Sequence, residues 1–313
     1  KTKVLKISNS DNFNEIALTV FNYQYHHNEI YREFVDSLNR NIEKINHYSK
    51  IPFLPIGFYK TQKITCTDVK PIMEFESSGT SQQKKSILYI EDIDYYKKVS
   101  SLIFTSHFGD FKNKVIIGLL PSYLERNNSS LVFMVNHFIN LTEDHDSGFY
   151  LYNQDVLYEK LLQLSSSTKE VVLFGVTFAL LDFCKKYTLS FPKLTVIETG
   201  GMKGRSKELI RHELHYILKK SFGVPQIYSE YGMTELLSQS YSISENKFQS
   251  PPWMRILVRE IYDPLSVNEL GKGLINIIDL SNIETCSFIA TDDVGVAYES
   301  NHFEIQGRID SAE

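Results

Sequence analysis

The stretch EVVLFGV, residues 170–176, decides the fold class of this 313-residue chain. Short apolar runs rich in β-branched residues are typical of strands buried on both faces. Similar runs occur at KVIIGLLP from 114, LTVIET from 194 and VPQIYSEYG from 224, with a shorter one, LIF, at 102. Helical patterns separate these runs. Buried strands that alternate with helices predict an α/β fold with parallel strands.

The flanking sequence predicts three further regions. Residues 1–50 form a helical lead-in, because apolar side chains from Ile16 to Ile45 recur at helical spacing among polar ones. Residues 51–250 hold the α/β core, whose clearest helix runs from Ser206 to Lys220 with Ser206 as its cap. Residues 251–306 are rich in strands and turns and form a C-terminal β-subdomain.

Composition excludes several classes of protein. Hydrophobic residues make up 42% of the chain and charged residues 23%, which excludes disorder as the main state. The net charge of −5 argues against a dedicated nucleic-acid binder. The longest uncharged apolar run, 171–181, is too short to span a bilayer, so we expect a cytoplasmic protein. Three cysteines without a CxxC pair argue against a disulfide framework or a zinc site.

Two polar segments could bind a nucleotide. ESSGTSQQKKS, residues 76–86, offers hydroxyls, backbone N–H groups and lysines to a phosphate, although a polar surface turn fits the composition as well. YSEYGMTE, residues 228–235, follows a predicted strand, where open α/β sheets bind ligands, and an ordinary turn is the alternative. TDDVG at 291–295 and GRID at 307–310 would each be a β-turn in isolation. His212 and His215 lack the spacing of a zinc motif.

Taken in order, ESSGTSQQKKS, ETGGMKG, SEYGMTE, TDDVG and QGRID resemble the motifs of the adenylate-forming superfamily of acyl-CoA synthetases, adenylation domains and luciferases. LPSYLERNNSSLVFM, GVTFALLDF, TGGMKGRSKELIRHELH and PPWMRILVRE are similar to the acyl-protein synthetase (LuxE-type) branch. The resemblance implies the large N-terminal domain of that fold, with mixed or parallel sheets flanked by helices. It also implies that residues 307–313 are the hinge to a C-terminal lid absent from this sequence.

The resemblance implies roles for individual residues in binding ATP and Mg²⁺. Tyr231 would stack on adenine, Thr234 would contact the α-phosphate, and Glu235 would ligate Mg²⁺. Asp293 and Arg308 would bind the ribose hydroxyls, and Asp310 would lie at the hinge. The phosphate loop would comprise Ser77, Ser78, Gly79, Thr80 and Ser81, with Lys84 as the catalytic cation. The remaining nucleotide-binding positions would be Gly200, Gly201 and Met202 at the junction of adenine and acyl pocket, with Glu230 and Gly232.

The implied activity is ATP-dependent conversion of a fatty or other carboxylic acid to acyl-AMP, followed by transfer of the acyl group to a protein thiol. The thiol would belong to the lid or to a partner such as an acyl reductase, since Cys66, Cys184 and Cys286 lie in no motif for an acceptor. An acyl- or aryl-CoA ligase of the phenylacetate-CoA ligase type is one alternative. A non-catalytic nucleotide- or acyl-binding scaffold of a reductase complex is another. The acyl pocket or the hydrophobic core would hold Phe174, Val176, Phe178 and Ala179.

Overall fold

The computed structural model describes residues 1–7, 10–78, 84–121, 128–150, 153–200, 209–244 and 246–309. The chain divides into two compact units. The first unit comprises Lys1–Ile103, Gly232–Ser240 and Gln249–Glu313, and the second comprises Phe104–Tyr231 and Tyr241–Phe248. Within the described ranges, no helix has the length and apolar character needed to cross a membrane.

The elements are numbered along the chain. The α-helices are α1 Ser10–His27, α2 Glu29–Ser37, α3 Phe58–Thr61, α4 Ile93–Phe108, α5 Ser130–Thr142, α6 Gln154–Ser165, α7 Thr177–Lys186 and α8 Arg211–Phe222, and short 3₁₀ helices cover Val4–Lys6, Ile42–Lys44 and Tyr48–Lys50. The strands are β1 Leu54–Pro55, β2 Met73–Glu76, β3 Ile87–Ile90, β4 Lys114–Leu119, β5 Gly148–Phe149, β6 Glu170–Val176, β7 Thr195–Thr199, β8 Ile227–Tyr231, β9 Ser240–Ser244, β10 Lys247–Gln249, β11 Met254–Arg259, β12 Val267–Asn268, β13 Gly271–Asp279, β14 Phe288–Tyr298 and β15 His302–Arg308.

Parallel strands form the centre of the second unit. Their order is β5-β4-β6-β7-β8, and every neighbouring pair among them is parallel. All six residues of β4 are buried, as are six of the seven in β6, which explains their continuous apolar sequences. Helix α5 packs on β4, α7 on β6 and β7, and α8 on β8. The predicted α/β fold with parallel strands is confirmed.

Antiparallel strands form most of the sheet structure of the first unit. Their order is β12-β11-β13-β14-β15, and β1 pairs with β14 in parallel. The segment 291–295, which would be a turn in isolation, lies inside β14. Gly295 permits the close approach of β14 and β15, because a Cβ at this position would lie 2.1 Å from the Glu304 carbonyl oxygen on β15. Strands β2 and β3 form a separate antiparallel pair.

Two local predictions are wrong. The LIF run at 102 lies in α4 rather than in a strand, because Val99, Ile103 and Phe104 bury one helical face. Helix α8 begins at Arg211 and not at Ser206, since Ile210 has the extended backbone of a cap residue, with φ −64° and ψ 145°. Residues 201–208, Ser206 included, lie outside the described part of the chain.

The domain boundaries inferred from sequence stay predictions. Helices α1 and α2 lie in the proposed lead-in, 1–50, and β11 to β14 lie in the proposed β-subdomain, 251–306. The proposed core, 51–250, contributes residues to both compact units. The proposed hinge, 307–313, is described as far as Ile309, and Asp310 lies outside the described residues.

Candidate functional site

Glu235 is a buried carboxylate in the turn that follows β8. Its exposed fraction is 5%, and this burial raises the pKa of its carboxyl group. A hydrogen bond from Ser86 and the positive charges of Arg308 and Lys60 act in the opposite direction by favouring the anion. All four residues belong to the first unit. A carboxylate in these surroundings suits Mg²⁺, which takes one or two protein carboxylates and completes its shell with water and phosphate oxygens.

The β2–β3 pair places Ser86 beside Glu235. The Ser77 amide donates to the Ser86 carbonyl oxygen at 3.0 Å, and the Ser86 amide donates to Ser77 Oγ at 2.9 Å. These two bonds hold together the two ends of the segment 77–86, which contains the proposed phosphate loop. Ser86 is buried, whereas Ser78 and Lys84 are exposed. Three further predicted loop residues lie outside the described part of the chain: Gly79, Thr80 and Ser81.

Asp293 and Arg308 form an ion pair across two antiparallel strands. They are register partners in β14 and β15, and Arg308 Nε donates to Asp293 Oδ1 at 2.8 Å. Asp293 is 4% exposed, while the Arg308 side chain is 60% exposed. The buried carboxylate is thus held by an arginine that reaches solvent. A carboxylate and a guanidinium at one place can accept from and donate to a vicinal diol such as a ribose.

The carboxyl ends of β7 and β8 bring together the predicted residues of the second unit. The Thr177 hydroxyl donates to the Gly200 carbonyl oxygen at 2.7 Å, and Gly200 has a positive φ of 69° that favours glycine. Thr199 donates a short hydrogen bond to Glu230. The Tyr231 ring packs against Phe248, with centroids 5.9 Å apart. Gly201 and Met202 lie outside the described residues.

Glu198 is a buried carboxylate that sequence reasoning missed as a site residue. Burial alone would raise the pKa of its carboxyl group, yet a hydrogen bond from His215, the charge of Arg211 and a hydrogen bond from Ser229 hold that pKa below its usual value. His215 Nε2 lies 3.6 Å from Glu198 Oε1 and 3.1 Å from Ser229 Oγ. The signal of Glu198 in the sequence was an acidic residue directly before TGG, at the end of an apolar strand.

The pKa values of Glu198 and Glu230 shift in opposite directions, although burial acts to raise both. The pKa of Glu230 is raised to about 7, first by burial and then by the negative charge of Glu198, against the hydrogen bond from Thr199. Arg211 and His215 compensate Glu198 instead. The end of this parallel sheet therefore carries one stabilised anion and one carboxyl that titrates near neutral pH.

The predicted site residues thus fall into two described groups. In the first unit, Ser86 links Ser77 to Glu235, and Arg308 links Glu235 to Asp293. Also in this unit, Gly232 is exposed and Thr234 half-buried in the turn that contains Glu235. In the second unit, the strand ends carry Gly200, Glu230 and Tyr231. Ser86, although the last residue of the ESSGTSQQKKS motif, was missed as a site residue. The individual binding roles stay predictions.

Asp144, His145 and Asp146 form the group of potential metal ligands found among the described residues. Their carboxylates are already paired, because Lys169 lies 2.7 Å from Asp144 Oδ2 and Lys160 lies 2.7 Å from Asp146 Oδ1. The Lys160 and Lys169 hydrogen bonds lower the pKa of Asp146 to about 2. The group is an ion-pair cluster of a loop.

The cysteines and the candidate acyl-pocket residues are mostly core. Cys66 and Cys286 are buried, and burial raises the pKa of the Cys66 and Cys184 thiols to about 12 and about 11. Neither thiol would be a nucleophilic thiolate at neutral pH. Phe174 packs against Phe104 and Phe138 at centroid distances of 6.2 Å. The other three candidate pocket residues are buried too: Val176, Phe178 and Ala179.

Comparison with known proteins identifies relatives along nearly the whole chain. Two long-chain-fatty-acid–luciferin-component ligases are similar to it: that of Aliivibrio fischeri is 23% identical over 305 residues, 91% of this chain and 79% of the relative. That of Vibrio harveyi is 25% identical over 299 residues, which cover 89% of this chain and 77% of the relative. Among solved structures, a 2-hydroxyisobutyryl-CoA ligase in complex with 2-HIB-AMP and CoA is similar, with a TM-score of 0.71 and 11% sequence identity. The superposed region covers 96% of this chain and 70% of the ligase chain.

That structural likeness confirms an adenylate-forming fold, while the family follows from the sequence itself. The model of the family described as acyl-protein synthetase, LuxE, matches residues 5–312, which span both compact units and the groups around Glu235 and Glu198. The resemblance seen in the motifs is thereby confirmed, and the chain belongs to the acyl-protein synthetase (LuxE) family of ligases.

Proposed function

We propose that this enzyme activates a long-chain fatty acid with ATP and passes the acyl group to a protein thiol. Acyl activation by ATP is the shared activity of its family and of adenylate-forming ligases. The fatty acid is suggested by the names of the two luciferin-component ligases. The observation that carries the proposal is the buried Glu235, joined by Ser86 to the motif that resembles a phosphate loop.

In the first step, a carboxylate oxygen of the fatty acid attacks the α-phosphorus of ATP, and pyrophosphate leaves. Such an in-line displacement needs positioning and charge neutralisation more than covalent help from the protein. Mg²⁺ would neutralise phosphate charge when bound, and Glu235 is the residue proposed to hold it. Asp293 and Arg308 would orient the ribose, and Tyr231 the adenine.

In the second step, a thiolate attacks the acyl carbon of acyl-AMP, and AMP leaves as the thioester forms. High pKa values of Cys66 and Cys184 disfavour them as this thiolate. The buried Cys286, whose thiol pKa is also raised by burial, is disfavoured as well. We therefore propose that the acceptor thiol belongs to a protein segment or partner outside residues 1–313, such as an acyl reductase.

Carboxylate-dependent ATP–pyrophosphate exchange tests the first step directly. The full-length enzyme is assayed with fatty acids of several lengths and with aryl acids, with Mg²⁺ and without CoA. We expect exchange with long-chain fatty acids, and a loss of about 100-fold in the Glu235→Gln variant, the size of effect seen when one electrostatic contact to a transition state is removed. Glu74→Gln, an exposed carboxylate on β2, should keep wild-type exchange.

The second step is tested by incubating the enzyme with fatty acid, MgATP and the candidate acceptor, followed by intact-mass spectrometry. A mass gain of one acyl group that hydroxylamine removes would support a protein thioester. Turnover only with CoA would instead favour a CoA ligase. Nucleotide binding without exchange for any acid would favour the non-catalytic scaffold.

A further inference from the structure

Asp279, the last residue of β13, is a fully buried carboxylate outside every motif discussed above. Its Oδ2 accepts the backbone amides of Leu237 at 3.0 Å and Ser238 at 2.8 Å. Its Oδ1 accepts the Ser238 hydroxyl at 2.8 Å, and the Ser281 hydroxyl and amide at 2.6 and 3.1 Å. Five donors thus converge on one carboxylate, and three of them belong to the segment that directly follows Glu235.

A second residue from the same end of β13 holds Glu235 itself. Asn282 Nδ2 donates to the Glu235 carbonyl oxygen at 2.9 Å and to the Cys286 carbonyl oxygen at 3.1 Å. The Asn282 orientation is fixed in turn, because Thr285 donates to its Oδ1 at 2.5 Å. The backbone from 235 to 238 is therefore tied to the segment 279–282 at three groups: the Glu235 carbonyl and the amides of Leu237 and Ser238.

These ties are stronger than ordinary turn contacts. Burial raises the pKa of the Asp279 carboxyl group, the hydrogen bonds from Ser281 and Ser238 oppose that rise, and each of these bonds is stronger where water is excluded. Asp279 is 0% exposed, as is Asn282, and Leu237 and Ser238 are buried as well. The turn that carries Glu235 has no regular secondary structure of its own, so these side chains replace a helix or strand as its support.

We infer that Asp279 is a positioning residue for Glu235: it fixes the backbone that aims the Glu235 carboxylate at the metal ion. The inference rests on the proposed function only where it treats Glu235 as a Mg²⁺ ligand. Asp279 is not itself proposed to contact nucleotide or metal. It acts through the amides of residues 237 and 238, so its loss should affect metal-dependent nucleotide binding more than metal-free binding.

The chain contains a natural reporter for this segment. Trp253 is its single tryptophan, is 6% exposed, and donates from Nε1 to Ser238 Oγ at 2.9 Å. Since Ser238 in turn donates to Asp279, a change in the 235–238 backbone should alter Trp253 fluorescence. Among residues 1–313, the emission of Trp253 therefore reports the state of the segment without a label.

The test compares the full-length wild-type enzyme with Asp279→Asn and with a matched control, Ser281→Ala. The asparagine keeps the size of the side chain but places an N–H₂ group against donors. The control removes a bond to the same carboxylate and leaves the amides of residues 237 and 238 bonded. We expect Asp279→Asn to reduce the gain in ATP affinity on adding Mg²⁺ at least tenfold, and the control less than threefold. Metal-free ATP affinity should change less than twofold in both.

Hydrogen–deuterium exchange of the peptide that covers residues 236–240 gives a readout without nucleotide. We expect its amides to exchange at least tenfold faster in Asp279→Asn, with a red shift of Trp253 emission, while β4 and β6 keep wild-type protection. If circular dichroism shows that Asp279→Asn is unfolded, Ser238→Ala replaces it and should speed exchange of the same peptide at least threefold.

Unchanged protection of the 236–240 peptide in the folded variant would overturn the inference. Equal losses in Asp279→Asn and Ser281→Ala would overturn it too, because both would then reflect general destabilisation. If wild-type enzyme shows no gain in ATP affinity with Mg²⁺, the proposed function fails, and the exchange experiment still decides whether Asp279 holds the segment.

Discussion

The second unit should lose stability as the pH rises from 5 to 7, because of one carboxyl group. Burial and the charge of Glu198 raise the pKa of Glu230 to about 7 from the usual 4.5. Between these values the folded state holds a proton that the unfolded state has released. Stability is therefore highest below about pH 4.5 for this group, and the contribution is lost as the pH rises through 7. At 1.36 kcal/mol per pH unit, the loss amounts to about 3 kcal/mol.

The Glu230→Gln variant isolates this effect, since the amide can still accept from Thr199 but cannot ionise. Calorimetric unfolding of wild type and variant at pH 5, 6, 7 and 8 gives the difference between their midpoints. That difference should change by roughly 10 °C in favour of the variant between pH 5 and 8, with most of the change below pH 7. Glu213→Gln, an exposed carboxylate on α8 in the same unit, should follow the wild-type profile.

Parallel pH profiles of wild type and Glu230→Gln would refute the reasoning. They would mean that Glu230 is already ionised in the folded state at pH 5, and that its neighbours solvate the anion. A difference of the opposite sign would mean that Glu230 is held as an anion, as Glu198 is.

Two further substitutions follow from the packing. Glu198→Gln should cost about 3 kcal/mol in urea unfolding at pH 7, because it leaves Arg211 without its buried anionic partner; unchanged stability would contradict the charge pairing. Gly295→Ala should cost about 2 kcal/mol, since its Cβ would lie 2.1 Å from the Glu304 carbonyl oxygen. In contrast, Gly57→Ala, whose Cβ would meet nothing within 4 Å, should change stability by less than about 0.5 kcal/mol, and similar losses in both would refute the steric argument.

The strands of the second unit could be predicted from sequence because a strand buried on both faces has a continuous run of apolar residues. EVVLFGV and KVIIGLLP became β6 and β4 for this reason. The strand predicted for the LIF run was wrong because three apolar residues fit either a strand or one face of a helix. Only tertiary packing decides which of the two forms. The predicted start of α8 was wrong because Leu209 and Ile210, which continue the apolar periodicity, precede the helix. Apolar periodicity does not mark the residue at which a helix begins.

The candidate site was predictable where it consists of contiguous motifs and less so where it depends on single buried groups. The SEYGMTE motif contains Glu230 and Glu235, which the structure places in different compact units. Ser86, Glu198 and Asp279 act through partners distant in sequence, and a lone serine or acidic residue at a strand end carries no local pattern. Their roles follow from burial and from hydrogen bonds, which a sequence does not display.

The contrast between Glu198 and Glu230 follows from the register of two parallel strands. Thr199 on β7 is the partner of Glu230 on β8, so the two carboxylates occupy neighbouring positions at one sheet end. Two anions there would repel each other, and only one can be ionised cheaply in buried surroundings. Helix α8 decides which, because Arg211 and His215 both face Glu198. The proton is then left to Glu230, whose pKa is raised first by burial and further by the charge of Glu198, so neutralising Glu198 should lower the Glu230 pKa from about 7 while burial keeps it above 4.5.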